Sequence, residues 1–250
     1  MRKFWIIITL FFTTIESLYL YAEDCNSVYK KAIAKFETKD YKSAIALFRE
    51  AYSLGDTILS PMRIGEFYIC GYGVTQNESE GLRWVQIAAE NNNSEAQSTM
   101  GKYFSYIGED PKAFNWFFKA AQNGDDYGKY MLGKAYLEGK GTFQDSKKAL
   151  RWTLSSAQGG NPGAQWEMAI AYSEGHNHPF DLDCNADEVI IWTQKAADNG
   201  LPVAQYYLGL FFLDGFNNRP VDKEKAKYWI LKAADQEWPD AIKTLKERFK

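Results

Sequence analysis

The sequence predicts an all-α protein, a right-handed superhelix of helix-turn-helix repeats. Three observations predict it. Trp84, Trp116, Trp152, Trp192 and Trp229 each stand four residues before a small pair: Ala88-Ala89, Ala120-Ala121, Ser156-Ala157, Ala196-Ala197 and Ala233-Ala234. The tryptophans recur at intervals of 32, 36, 40 and 37 residues, and periods of this size mean stacked repeats rather than one closed globule. One helix earlier, Ile64-Gly65, Met100-Gly101, Leu132-Gly133, Met168-Ala169 and Leu208-Gly209 share a second register, with an aromatic three residues after the small position in every copy.

The elements follow in chain order. Residues 1–22 read as a secretory signal peptide. Met1-Arg2-Lys3 is a basic start, Phe4 to Ile15 is an apolar run, and Ala22 is a small residue at the cleavage point. A run of 12 apolar residues falls short of the roughly 20 needed to span a bilayer. An uncleaved anchor is the other reading. Export followed by cleavage predicts no membrane contact for the mature chain. The net charge is -3 and no basic run occurs, which argues against a nucleic-acid partner. Cys25, Cys70 and Cys184 fall in different repeats. Cysteines whose Cα atoms lie beyond about 7 Å cannot be bridged without backbone movement, so no disulfide framework is expected.

Residues 23–56 form a first helical hairpin, residues 57–238 five further hairpins, and residues 239–250 a C-terminal capping helix, about 13 helices in all. Within a repeat, the Leu or Met before the small residue and the aromatic after it are four apart, so they share a helix face. A mid-helix glycine costs roughly 1 kcal/mol against alanine. Its recurrence therefore implies a second helix that must approach closely. The next helix opens on Asn77, Asp145, Asn185 or Asp222, seven residues before the tryptophan, and these side chains can accept from free first-turn N–H groups. In the short second repeat Asp110-Pro111 takes that place, and the loop and glycine after its first helix are missing. Each tryptophan is expected to act as a wedge between hairpins, because neither helix can bury its apolar face alone.

These residues carry a resemblance. AQYYLGLFFLDG at 204–215 with VDKEKAKYWILKAA at 221–234, and YMLGKAYLEGKG at 130–141 with ALRW at 149–152, look like Sel1-like repeats. Residues 28–55 look more like a tetratricopeptide hairpin. The resemblance implies an adaptor or scaffold: bacterial–host contact, envelope signalling, or an immunity protein that neutralises a secreted antibacterial effector in the periplasm. It implies the periplasm as the first location and secretion as the second. The rival class is a hydrolase of the cysteine-rich Sel1-like type, but the regular cysteine pairs of that type are absent here.

Candidate chemistry is sparse, and no catalytic residue or cofactor is expected. His176, His178, Asp181, Asp183 and Cys184 are metal-ligand types within nine residues. The alternative, which the sequence favours, is an irregular polar loop closing a hairpin. Asp181, Asp183, Asn185 and Asp187 resemble the start of a calcium loop, but Ala186 and Trp192 stand where its glycine and glutamate belong. Gly71-Tyr72-Gly73 and Gly139-Lys140-Gly141 follow helices, whereas a phosphate loop follows a strand. Asp125-Asp126 reads as a pair of solvated acids at a turn. The remaining candidate is the face of the first helices, since extended concave surfaces are where repeat proteins bind. It carries Arg63, Glu66, Lys102, Tyr106, Lys134, Glu138, Glu167, Glu174, Tyr207, Leu210 and Asp214. Mixed charge with a few aromatics suits a protein partner.

Overall fold

The computed structural model describes residues 25–249; the signal-peptide expectation for residues 1–22 lies outside them. Thirteen helices and no strand occur among the described residues. They are α1 (25–37), α2 (Tyr41–Ser53), α3 (Leu59–Cys70), α4 (Glu78–Glu90), α5 (Ser94–Tyr106), α6 (Asp110–Gln122), α7 (Asp126–Glu138), α8 (Ser146–Gln158), α9 (Pro162–Glu174), α10 (Ala186–Asp198), α11 (Pro202–Asp214), α12 (Lys223–Ala234) and α13 (Pro239–Arg248). A short 3₁₀ turn, Gly175–Asn177, follows α9. No described helix is long and apolar enough to cross a membrane. The chain divides into two compact units that meet within α5, at Tyr103 and Phe104.

The first unit is built on aromatics. Ala32, Ala44, Ile45, Phe48, Ile64 and Phe67 form its buried cluster. Phe67 meets the rings of Phe36, Tyr41, Phe48 and Tyr72 at 5.7 to 6.1 Å. The second unit repeats a sparser core from hairpin to hairpin. Leu132, Met168 and Trp192 belong to its largest cluster, Leu208 and Trp229 to the next, and Leu213, Ala226 and Ile230 to the last.

The small register does what its recurrence implied. A Cβ on Gly65 would stand 2.7 Å from Val85 Cγ2 and 2.9 Å from the Gly81 carbonyl oxygen. One on Gly133 would meet Thr153 Oγ1 at 2.5 Å, and one on Gly209 would meet Ile230 Cγ1 at 2.5 Å. In these three hairpins the second helix rests on the bare backbone of the first. The residue it rests with follows the tryptophan, and Val85, Phe117, Thr153, Thr193 and Ile230 are all fully or almost fully buried. The wedge is therefore one residue further on than the sequence suggests. Trp84, Trp116 and Trp152 are only half-buried, while Trp192 and Trp229 are buried.

Asn77, Asp145, Asn185 and Asp222 cap α4, α8, α10 and α12 as expected. Asp110 does not cap: it is the first residue of α6, and Glu109 holds the cap position with no side-chain bond. The second repeat also keeps its glycine. Gly108, φ 77°, ends the turn one residue later than in the other copies. Asp125 and Asp126 are structural. Asp125 caps α7, and the Asp126 carboxylate pairs with Lys129 at 2.6 Å while packing against Gly159. A further device had no place in the sequence reading. Gln97, Gln165 and Gln205 are buried, and their Nε2 groups donate to the carbonyls of Ala89, Ala157 and Ala197 at 3.0 to 3.2 Å. The second member of each of these small pairs thus supplies an acceptor to the next hairpin. The small side chain leaves that carbonyl accessible.

Candidate functional site

An aromatic-lined concavity lies in the second unit, between the first helices of the last two repeats. Its volume is about 350 Å³. Trp166, Ala169, Ile170, Ser173 and Glu174 line it from α9, Tyr207 and Phe211 from α11, and Phe216 from the following turn. Val189 and Thr193 of α10 form its floor. Asn161 caps the start of α9 and Gln165 ties that helix to α8, which sets Trp166 at the mouth. The Trp166 and Tyr207 rings stand 5.3 Å apart. Phe211 and Phe216 stack at 4.3 Å. Glu174 is the one carboxylate in this lining.

A sister cleft occupies the equivalent place one repeat pair earlier, and it differs in both size and chemistry. It measures about 90 Å³ and is lined by Asp110, Lys134, Glu138 and Lys140 together with Phe114, Phe117 and Met131. Phe117 stands at the register of Thr193, one residue after the tryptophan, and fills space that a threonine leaves open. Lys134 stands at the place of Leu210, one residue after the small position, and Ile170 at that of Lys102.

The Thr193 hydroxyl is fully buried without a hydrogen-bond partner among the described residues. An unmet buried hydroxyl costs about 1–3 kcal/mol. Thr193→Val, which keeps the shape and removes the hydroxyl, is expected to raise stability by about 1 kcal/mol. A thermal denaturation midpoint that stays put or falls would refute this account.

The insertion after α9 sends its two histidines in different directions. His178 is buried, with Nε2 3.3 Å from Glu167 Oε1 and Nδ1 accepting from the Phe180 amide at 3.1 Å. Phe180 is buried beside it, ring to ring at 4.5 Å. The segment is thus partly an apolar plug rather than an irregular polar loop. His176 is exposed, 2.7 Å from Asp181 and 3.2 Å from Asp183. The described residues hold no group of three or more His, Cys, Asp and Glu arranged for a metal ion. Hydrogen bonding and charge from Asp181, with a smaller part from Asp183, raise the His176 pKa above its ordinary value. A raised folded value means that this contribution to stability is complete below about pH 6.5, the unfolded value, and is lost as pH rises through the folded one. In an NMR titration His176 is expected to titrate above that value, and Asp181→Asn to bring it down. No change in Asp181→Asn would contradict the assignment.

The structure distributes the other expected surface residues unevenly. Arg63 and Glu66 pair with each other at 2.8 Å on α3. Lys102 and Tyr106 project from α5, Tyr106 being 89% exposed. Lys134 lies over the Tyr130 ring at 5.9 Å, and Glu138 pairs with Lys140 at 2.6 Å. Burial, and then Glu167, push the Tyr130 hydroxyl up to about 12. Asp214 pairs with Arg248 at 2.7 Å, and Leu210 packs on the last core cluster. Only Glu174 and Tyr207 enter the larger groove. Sequence reasoning missed Trp166, Ile170 and Phe211. A signal for Ile170 was present: the residue after the small position is Glu66, Lys102 and Lys134 in the first three repeats, then Ile170 and Leu210 in the last two.

Helical hairpins stacked by a small-residue register, with an open aromatic groove on the first-helix face, define a helical-repeat interaction protein. The Sel1 repeat model matches residues 16–56, 62–93, 94–125, 127–161, 162–201 and 202–237, and the chain belongs to the Sel1 repeat family. Its repeats are of the kind that mediates protein–protein interaction. The first match covers the hairpin that looks more tetratricopeptide-like in sequence. A solved Sel1 repeat protein from Oxalobacter formigenes is similar at 25% identity and TM-score 0.75, over 85% of this chain and 88% of that one. An immunity protein from Pseudomonas aeruginosa shares the fold at 16% identity and TM-score 0.56, over 86% of this chain and 83% of that one. Among curated proteins, chitin synthase regulatory factor 1 of Schizosaccharomyces pombe is 29% identical over 115 residues, which is 43% of this chain. The chain spans a quarter, 25%, of the length of that relative.

Proposed function

We propose that this chain is an exported, non-enzymatic protein-binding module that serves as an immunity protein, masking a secreted antibacterial effector in the periplasm. The observation that carries the binding role is the aromatic groove between α9 and α11. Trp and Tyr are among the residues that dominate binding energy at protein interfaces, and here Trp166 and Tyr207, packed ring to ring at 5.3 Å, line the groove together. Support for the immunity role comes from the likeness in fold to the Pseudomonas aeruginosa immunity protein, which extends over most of both chains. The basic-apolar start at residues 1–22 supports export.

The test is co-expression with the product of the adjacent gene. A stable complex, together with rescue of growth when that product is directed to the periplasm, is the expected result. No complex and no protection would overturn the immunity role.

A further inference from the structure

We propose that the groove between α9 and α11 receives an apolar anchor side chain of a partner polypeptide that carries a lysine or arginine beside the anchor. This rests on the protein-binding reading above and names the chemistry of the partner at that site.

The anchor follows from the shape and lining. At about 350 Å³ the groove lies at the small end of ligand pockets, about 300–1,000 Å³, which is room for one or two side chains. Its walls are ring faces and the Ile170 side chain. The same place in the preceding repeat pair is filled by Phe117 and bordered by lysines. Repeats four and five carry Thr193 in place of that phenylalanine, and Ile170 where the second repeat has Lys102. The register itself therefore marks the opening: the cleft that Phe117 fills in one repeat pair is left open by Thr193 in the other.

The cation follows from charge complementarity. Glu174 is exposed at the rim. It forms no ion pair or hydrogen bond among the described residues, whereas Asp214 and Asp187 nearby in the fold are engaged by Arg248 and Arg219. No lysine or arginine lines the groove. A basic group next to the anchor would meet an uncompensated carboxylate at the edge of a low-dielectric wall, where screening is weaker than in open water.

Selection of short random peptides displayed on phage against the whole chain tests this. The winners, remade as labelled peptides, are expected to pair an aromatic or leucine with a nearby lysine or arginine. Ile170→Lys, which restores the residue type of the second and third repeats at a half-buried position, is expected to weaken them roughly tenfold, the worth of one good apolar anchor. Glu174→Gln is expected to weaken them about threefold, the size of an exposed ion pair, with reduced salt dependence. Circular dichroism of both variants should match the parent chain. Thr193→Phe, which copies Phe117, provides a second way of closing the groove should Ile170→Lys fail to fold. Winners without a basic residue, affinity unchanged by a folded groove variant, or a homodimer that these variants dissolve would each overturn the proposal. A parent chain that binds no peptide yet still captures the adjacent gene product would also overturn it, and would leave the protein-binding reading standing.

Discussion

Phe67→Ala is expected to destabilise the first unit by about 3–5 kcal/mol, the usual cost of removing a fully buried phenylalanine. Phe67 has no exposed surface. Its ring touches Phe36 from α1, Tyr41 and Phe48 from α2, and Tyr72 from the turn after α3. Four rings from two helices and a turn cannot collapse together onto one vacated volume, because they are anchored to three separate stretches of backbone. That places the substitution toward the upper part of the range. Tyr72→Ala is the comparison. Tyr72 stacks on Tyr41 at 4.9 Å but is 37% exposed, so its loss should cost only about 0.5–1.5 kcal/mol. Urea denaturation followed by hydrogen exchange in α3 would read both. Equal effects for the two substitutions would show that the ring cluster does not hold the unit together.

Phe67 also shows where the sequence stops being legible. It stands two residues after the small position, and so does Phe211. The first is the centre of a ring cluster and the second is the wall of an open groove. Both are phenylalanine at one register of one repeat. The difference lies in what the neighbouring elements bring: α1 and α2 supply Phe36 and Phe48, while α9 and α10 supply Ile170 and Thr193. Hairpins, small register and four of the five caps could be read because each is local, a matter of residues seven or fewer apart. The groove could not, because it is the absence of a side chain contributed by another element. His178 is a similar case. Its spacing from His176 suggests a shared ligand set, but burial beside Phe180 and the Glu167 carboxylate one helix away turn it inward.

Gly141→Ala is expected to cost about 2–5 kcal/mol, more than any other glycine substitution in the inter-helix turns of the second unit. Two effects add at this position. Its φ is 69°, the left-handed region, which costs a side-chain-bearing residue about 1–2 kcal/mol. In addition, a Cβ would overlap the Asp110 carbonyl oxygen and stand 2.9 Å from Phe114 Cβ. A carbonyl in the first turn of α6 cannot swing aside as a side chain can, so α6 or the turn must move, at a typical overpacking cost of about 1–3 kcal/mol. Gly139 separates the two effects. It shares the positive φ, 70°, but its nearest neighbours would lie at 3.6 Å, in ordinary contact. Gly139→Ala should therefore show the strain alone. The first unit repeats the arrangement at Gly73, where a Cβ would meet the first turn of α2 at 2.9 Å from Tyr41 Cβ. In both units the turn joining the two helices of a hairpin is seated on the helix that precedes that hairpin. If so, Gly141→Ala should loosen α6 as well as its own turn, visible as faster amide exchange in residues 110–114, whereas Gly139→Ala should leave α6 protected. Equal costs for the two substitutions would mean that the turn is held by its own geometry and not by its seat on α6.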